Sequence, residues 1–403
     1  MATAVRSQLA RLAEGARSPQ GMAGFYFLYY AGAGAYAPFL VLYLRGQGLN
    51  GAAIGLLTAV TPLVGVVAQP LWGRHADRRG TPTALVRLLT ALAAVVALAL
   101  PLLHGAPLLA VGLAALAAFT TPLVGLADSI TLRRLGANAG AYPRVRAWGS
   151  AGFAAVTVAA GAVYGGRALW RIFPALAVGL GLTVASLPRT EVPAADGAPA
   201  RPRDPVEPRP WSALLGNGRY VAVVVTTFIL QMAVAAHGTF FSLYLVRLHM
   251  PARFLGLPYA LAAVVEVPMF ALLPLITRRI GVRSVVQISL LAYALRYFLF
   301  SSLTVAWPVL VVQLMQTFTF TFFVGGMVVL AASLVPDGMK ATGQTLFMGI
   351  GFSLAAIIGN IGGGIVVSAL GVFWMYRLAS LAALVAAVTF GAAMQPWRRA
   401  ATE

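Results

Sequence analysis

None of the 403 residues is cysteine, so disulfides, thiol catalysis and cysteine-held metal or iron–sulfur centres are excluded. Acids are nearly as scarce: ten Asp and Glu stand against 29 Lys and Arg, and only Asp128 and Glu266 fall within long apolar runs. The single lysine, Lys340, lies between two such runs, which leaves no intramembrane amine for a retinal Schiff base. There is no HExxH sequence and no close carboxylate pair, so a membrane enzyme has few residues to work with. The glycines from Gly349 to Gly364 follow no strand and precede no suitably spaced lysine or acid, which argues against a nucleotide loop. Close helix packing around Asn360 explains them better. Nothing in the chain asks for a cofactor or a metal.

What is present is apolar. Hydrophobic residues make up 60% of the chain and charged residues 10%, and apolar runs recur every ~33 residues, enough for about twelve spans. An all-α polytopic membrane protein follows. A net charge of +19 would suggest nucleic acid in a soluble protein, but these arginines flank the apolar runs, where they orient a chain in the lipid bilayer. With both termini placed in the cytoplasm, 22 Lys and Arg fall inside and six outside. The first 20 residues carry Arg6, Arg11 and Arg17 without an apolar core before a small-residue cleavage site, so they are expected to form a leader and not a cleaved signal. The abundance of arginine over lysine, and of alanine, suggests a GC-rich bacterial genome and hence the bacterial cytoplasmic (inner) membrane.

The organisation reads as a cytoplasmic leader (1–21), a six-span bundle (22–188), a linker (189–215), a second six-span bundle (216–395) and a cytoplasmic tail (396–403). The linker is rich in proline and charge and has no apolar face to bury. Spans are expected near 22–44, 51–72, 83–103, 107–132, 143–165 and 168–187, then 216–246, 253–276, 284–304, 306–334, 341–370 and 372–395. The two bundles repeat. A shift of 201 residues aligns Ala35 to Gly80 with Ala236 to Gly281 with 13 identities in 46 positions, among them Gly55 with Gly256 and Gly80 with Gly281. Parallel repeats of this kind build transporters whose substrate site lies near the midplane.

The most informative stretch runs from Ala127 to Phe153. Asp128 ends one span and Arg146 begins the next, 18 residues on, which a continuous helix would hold roughly 27 Å apart. Gly136, Asn138, Gly140 and Pro143 lie between them and predict a turn. A helical hairpin then brings acid and base to similar depth. Charge at depth costs about 2.5 to 3.5 kcal/mol even on lenient scales and usually lines a solute or ion path, although a structural pair that sets hairpin register is the plainer alternative. Phe153 lies two turns from Arg146 on the same face. Tyr26 and Tyr30 share a face of the aromatic first span, and His237 falls opposite Tyr36 in the repeat.

The segment GRHADRRG, residues 73 to 80, resembles the loop between spans 2 and 3 of the major facilitator superfamily. Gly73, Asp77, Arg78 and Gly80 match its pattern, while Thr81-Pro82-Thr83 stands where a basic pair is usual. Further matches are FYFLYYAGAGAYAPFLVLYL in span 1, the spaced Asp128 with YPRVRAWGSAGF, and AHGTFFSLYL with AAVVEVPMF in spans 7 and 8. These resemble the 3-phenylpropionate permease branch, which is related to oligosaccharide:proton symporters of the lactose permease type. The resemblance implies that Asp128 and Arg146 bind substrate, that Phe153 replaces a stacking tryptophan, and that residues 73–80 form a gate loop. It also places Arg296 at a family intramembrane arginine and Glu266 at or near a family acid. Gln316 stands where the family has histidine, and Thr319 where the sugar symporters carry their proton on a glutamate.

The expectation is a twelve-span secondary transporter with alternating access, acting as a monomer on a small organic solute and protons. Substrate contacts are assigned to Asp128, Arg146, Phe153, Tyr26, Tyr30, His237, Arg296 and Gln316, and proton coupling to Asp128, Glu266 and His237. Two arginines among aromatics favour an aromatic carboxylate, with a sugar or nucleoside next. The Gln316 and Thr319 departures leave an uncoupled facilitator or an efflux protein as the alternative, with a sensor or enzyme further away.

Overall fold

The computed structural model describes residues 2–164, 168–187, 212–336 and 338–394. Among these residues there is no strand. Twelve helices are long and apolar enough to cross a membrane: α1 Gly21–Gly46, α2 Gly51–Arg79, α3 Pro82–Leu102, α4 Ala106–Leu135, α5 Asn138–Tyr164, α6 Leu169–Ser186, α7 Gly218–Arg247, α8 Ala252–Ile280, α9 Val282–Ser302, α10 Pro308–Leu334, α11 Thr342–Ala369 and α12 Val372–Met394. The helix that contains α1 begins at Ala2. Of the expected linker only Ser212–Leu215, a short helical turn, and the approach to α7 are described; residues 189–211 and the tail at 396–403 lie outside the described residues.

Helix α2 departs from expectation. Hydropathy predicts a stop near Trp72 before a loop, but the helix runs on through Arg79, so Gly73, Asp77 and Arg78 sit on its last two turns. A single glycine does not stop the helix, which also accommodates Pro62 and Pro70 in its interior. Chain reversal waits for Gly80, whose φ of +66 a side chain disfavours. Its repeat mate Gly281 ends α8 with φ +81.

The chain divides into two compact units. The first comprises Met1–Leu49, Val60–Pro199 and Met250–Val264, the second Asn50–Ala59, Ala200–His249 and Val265–Glu403. In the first unit α1 packs chiefly on α5 and α6. Lipid is as apolar as leucine, so such helices associate through close van der Waals contact over small residues. Gly152 of α5 lies against the backbone of Phe27, and Thr157 donates to the Gly34 carbonyl at 3.0 Å. In the second unit α7 packs on α11 and α12, and α9 on α12. Gly359 meets the Met232 backbone and Gly363 meets Ala236, as the close-packing reading of α11 requires, whereas Gly349 and Gly362 face open space. Asn360 is 7% exposed and accepts from Thr239 at 2.9 Å.

Gly152→Leu places a side chain into the Phe27 backbone, and overpacking costs about 1–3 kcal/mol or more. Thermal unfolding in detergent is expected to show a lowered midpoint for Gly152→Leu. Gly181→Ala, which meets nothing within 4 Å, should leave the midpoint unchanged.

Candidate functional site

In the first unit the turn between α4 and α5 forms as the sequence predicts. Residues 136–141 make a tight turn with Gly136 at φ +49 and Asn138 out of helical geometry, and Tyr142 begins the next regular helix. Asp128 and Arg146 are both half-buried. They are not directly paired. The Tyr26 hydroxyl donates to Asp128 Oδ1 at 2.6 Å and contacts Thr131 Oγ1 at 3.2 Å. Arg146 Nη2 donates to the Tyr30 hydroxyl, and its guanidinium lies 4.4 Å from the Tyr30 ring and 5.2 Å from the Tyr26 ring. Tyr26 thus touches acid and base at once, through its hydroxyl and its ring face. Cation–π attraction of this kind contributes about 0.5–2 kcal/mol, more as water is excluded. Phe153 is half-buried on α5.

In the second unit Arg296 is 1% exposed, a charge with almost no access to water. Such a group is costly unless most of its donors find acceptors; here both terminal nitrogens do, and Nε does not. Arg296 donates to Gln313 Oε1 through Nη2, to Gln316 Oε1 through Nη1, and to Thr319 Oγ1 at 3.1 Å. Gln316 Nε2 in turn donates to Glu266 Oε1 at 2.6 Å. Acid and base are again joined through a neutral group. Helix α10 is irregular here: Leu314, Met315, Thr317 and Phe318 bond three residues back, and a π-helical turn follows at Thr317–Thr321. Such irregular turns concentrate at functional sites.

The other expected residues distribute as follows. His237 packs among aromatic rings, stacked on Phe300 at 5.7 Å, and its Nδ1 lies 2.9 Å from the Tyr376 hydroxyl. On the same helix as His237, Phe240 and Tyr244 are fully buried, and Tyr244 donates to the Phe300 carbonyl at 2.8 Å. Gly73 and Asp77 line a cavity of about 290 Å³ with Gln69, Ser129 and Arg133. Sequence reasoning leaves Thr131 and Tyr376 unassigned. Each reaches its partner across more than 100 residues of chain, and neither has a local signature. Gln313 stands out in the sequence only as one polar residue of span 10.

Arg296→Leu leaves three acceptors without their donor, at about 1–3 kcal/mol for each buried group left unsatisfied. Arg146→Leu removes a half-buried cation held by one tyrosine hydroxyl and two ring faces. In detergent, Arg296→Leu is expected to lower the unfolding temperature clearly more than Arg146→Leu does. Equal losses would mean that the Arg296 cluster contributes little to the fold.

The MFS_1 like family matches residues 20–378. A maltose permease of Geobacillus stearothermophilus is 30% identical over 343 residues, covering 84% of this chain and 85% of that protein. A probable 3-phenylpropionic acid transporter of Escherichia coli K12 is 28% identical over 383 residues, covering 91% and 97%. Among solved structures, a mutant form of the nucleoside transporter NupG superposes with a TM-score of 0.80 at 18% identity, over 94% of this chain and all of that one. A bacterial homologue of the human lysosomal transporter Spinster gives 0.71 at 15% identity, over 94% and 97%. With twelve apolar spans and a family match over most of its length, the chain belongs to the MFS_1 like family of major facilitator transporters: it is a multi-pass membrane transporter of small solutes and not an enzyme.

Proposed function

We propose that this transporter carries a neutral, polyhydroxylated solute, a disaccharide or short oligosaccharide, together with protons and by alternating access. The observation that carries the reading is the state of the two arginines. Arg296 is engaged by three neutral side chains and has almost no exposed surface to offer, so it is removed from substrate binding. The attraction of an aromatic carboxylate rested on two cations and now rests on one. What remains in the first unit is a half-buried acid and a half-buried base held by two tyrosines, with the half-buried Phe153 two turns along α5 from Arg146. A sugar offers hydroxyls that donate to a carboxylate and accept from a guanidinium, and a ring face that stacks on an aromatic. Similarity to a maltose permease over most of both chains supports the same class.

Proton coupling is supported by how the acids are held. Asp128 accepts from a tyrosine and Glu266 from an amide, so either takes up a proton without breaking a direct ion pair. His237, caged by aromatic rings, is assigned to the fold. The arginine distribution supports a bacterial inner membrane with both termini in the cytoplasm. Arg146 faces no carboxylate among its described contacts, and this keeps an organic anion as the second reading.

The test is external pH in de-energised right-side-out vesicles on adding maltose, 3-phenylpropionate or a nucleoside, with Asp128→Asn beside the wild type. Alkalinisation on adding maltose, abolished in Asp128→Asn, is the expected result. Alkalinisation with the carboxylate alone would replace the sugar by an anion bound at Arg146, and counterflow without any pH change would sink proton coupling.

A further inference from the structure

Gln316 has both ends of its amide committed, and the geometry allows one assignment. A guanidinium only donates, so Arg296 fixes the oxygen end of the amide toward itself. The Nε2 end must then face α8, where it meets Glu266 Oε1 at 2.6 Å. A flipped amide would set two donors face to face on one side and two acceptors on the other. Arg296 is itself immobilised by Gln313 and Thr319. The donor that Gln316 presents to α8 therefore stands at a fixed place.

Helix α8 is suited to respond to that donor. The most apolar window of this span is 11% buried, against 33–50% for the other spans. Pro268 follows Glu266 by two residues and Pro274 lies further on. Pro268 has no N–H to give the Val264 carbonyl, so the helix loses one brace at that point. Apolar contacts beyond it, such as Phe270 with Phe320, have no preferred protonation state. The Glu266 bond does. Hydrogen bonds to an ionised group are roughly twice as strong as neutral ones. The other ionisable groups facing Glu266 are Arg296 and Tyr293 of α9, while Gln316 and Thr319 of α10 do not titrate.

We propose that Gln316 is the positioning residue of proton coupling: it ties α8 to α10 while Glu266 is a carboxylate and slackens that tie when Glu266 takes a proton. This rests on the proton-symport reading and adds to it the part that senses the proton. It also accounts for a neutral residue at this position: an ionisable side chain would compete for the proton, and an apolar one would take one acceptor from Arg296 and the amide donor from Glu266.

The absence of cysteine makes the test direct. Nitroxides attached at Ile280→Cys on α8 and Ala332→Cys on α10, both exposed, report the separation of the two helices by electron paramagnetic resonance. The expected distance distribution is narrow at high pH and broadens as pH falls. In Glu266→Gln it should no longer respond to pH. Gln316→Glu keeps an acceptor for Arg296 but loses the donor, and Gln316→Met loses both, so each should be broad even at high pH. A wild-type distribution that does not change with pH, or Gln316 variants that keep the wild-type titration, overturns the proposal. Combined with Glu266→Gln, Gln316→Met should add no further effect, since both act on one bond. Sugar-induced alkalinisation measured on the same wild-type protein separates the two failures. Its presence with an unresponsive distance removes the tie alone, and its absence with a titrating distance removes symport and leaves the tie.

Discussion

A charge drawn into an apolar helical bundle must find its partners on neighbouring helices, because no solvent is there to supply them. Arg296 shows the constraint most fully. Its guanidinium is closed off from solvent and donates to Gln313, Gln316 and Thr319, all of one irregular stretch of α10. That one buried cation explains why α10 carries polar residues and why its hydrogen-bond ladder is broken there. It also explains why α9 and α10 cannot slide past each other without losing several hydrogen bonds together.

The same constraint has a second solution in the first unit. Asp128 and Arg146 are held by Tyr26 and Tyr30, which satisfy charge with hydroxyls and ring faces and bring hydrophobic area with them. In both units a neutral side chain stands between acid and base. A direct ion pair in so apolar a setting would be strong and would resist opening, whereas a bond to a neutral group costs less to exchange. A transporter that must release its contacts in every cycle is served by the weaker arrangement. On the proposed reading, this lets one acid answer to substrate and the other to protons.

Backbone packing sets the frame for these clusters. Gly34 and Gly152 bring α1 against α5, which holds Tyr26 and Tyr30 beside Arg146. Gly359 and Gly363 do the same for α11 against α7. Small residues serve because helix association within lipid gains little from the hydrophobic effect and much from close contact. Helix α8 lacks such a seam over most of its apolar length, and there its polar contact with Gln316 matters more.

The twelve spans and the turn at Gly136 to Pro143 were legible in the chain, since each rests on local composition, on spacing or on glycine and proline chemistry. Hydropathy placed most span ends within about three residues, but it could not foresee that α2 continues to Arg79, because helix continuation depends on a hydrogen-bond ladder that one glycine does not stop. The chain also singled out Asp128, Arg146, Glu266 and Arg296 as charges out of place in apolar runs. It did not say what each would touch. Tyr26 reaches Asp128 across 102 residues, Gln316 reaches Glu266 across 50, and Tyr376 reaches His237 across 139. Which charges need partners was determined by sequence alone, because desolvation is a property of the residue and its apolar neighbours. Which partners they take was decided only by tertiary packing, because a hydrogen bond depends on distances that helix-on-helix contact sets.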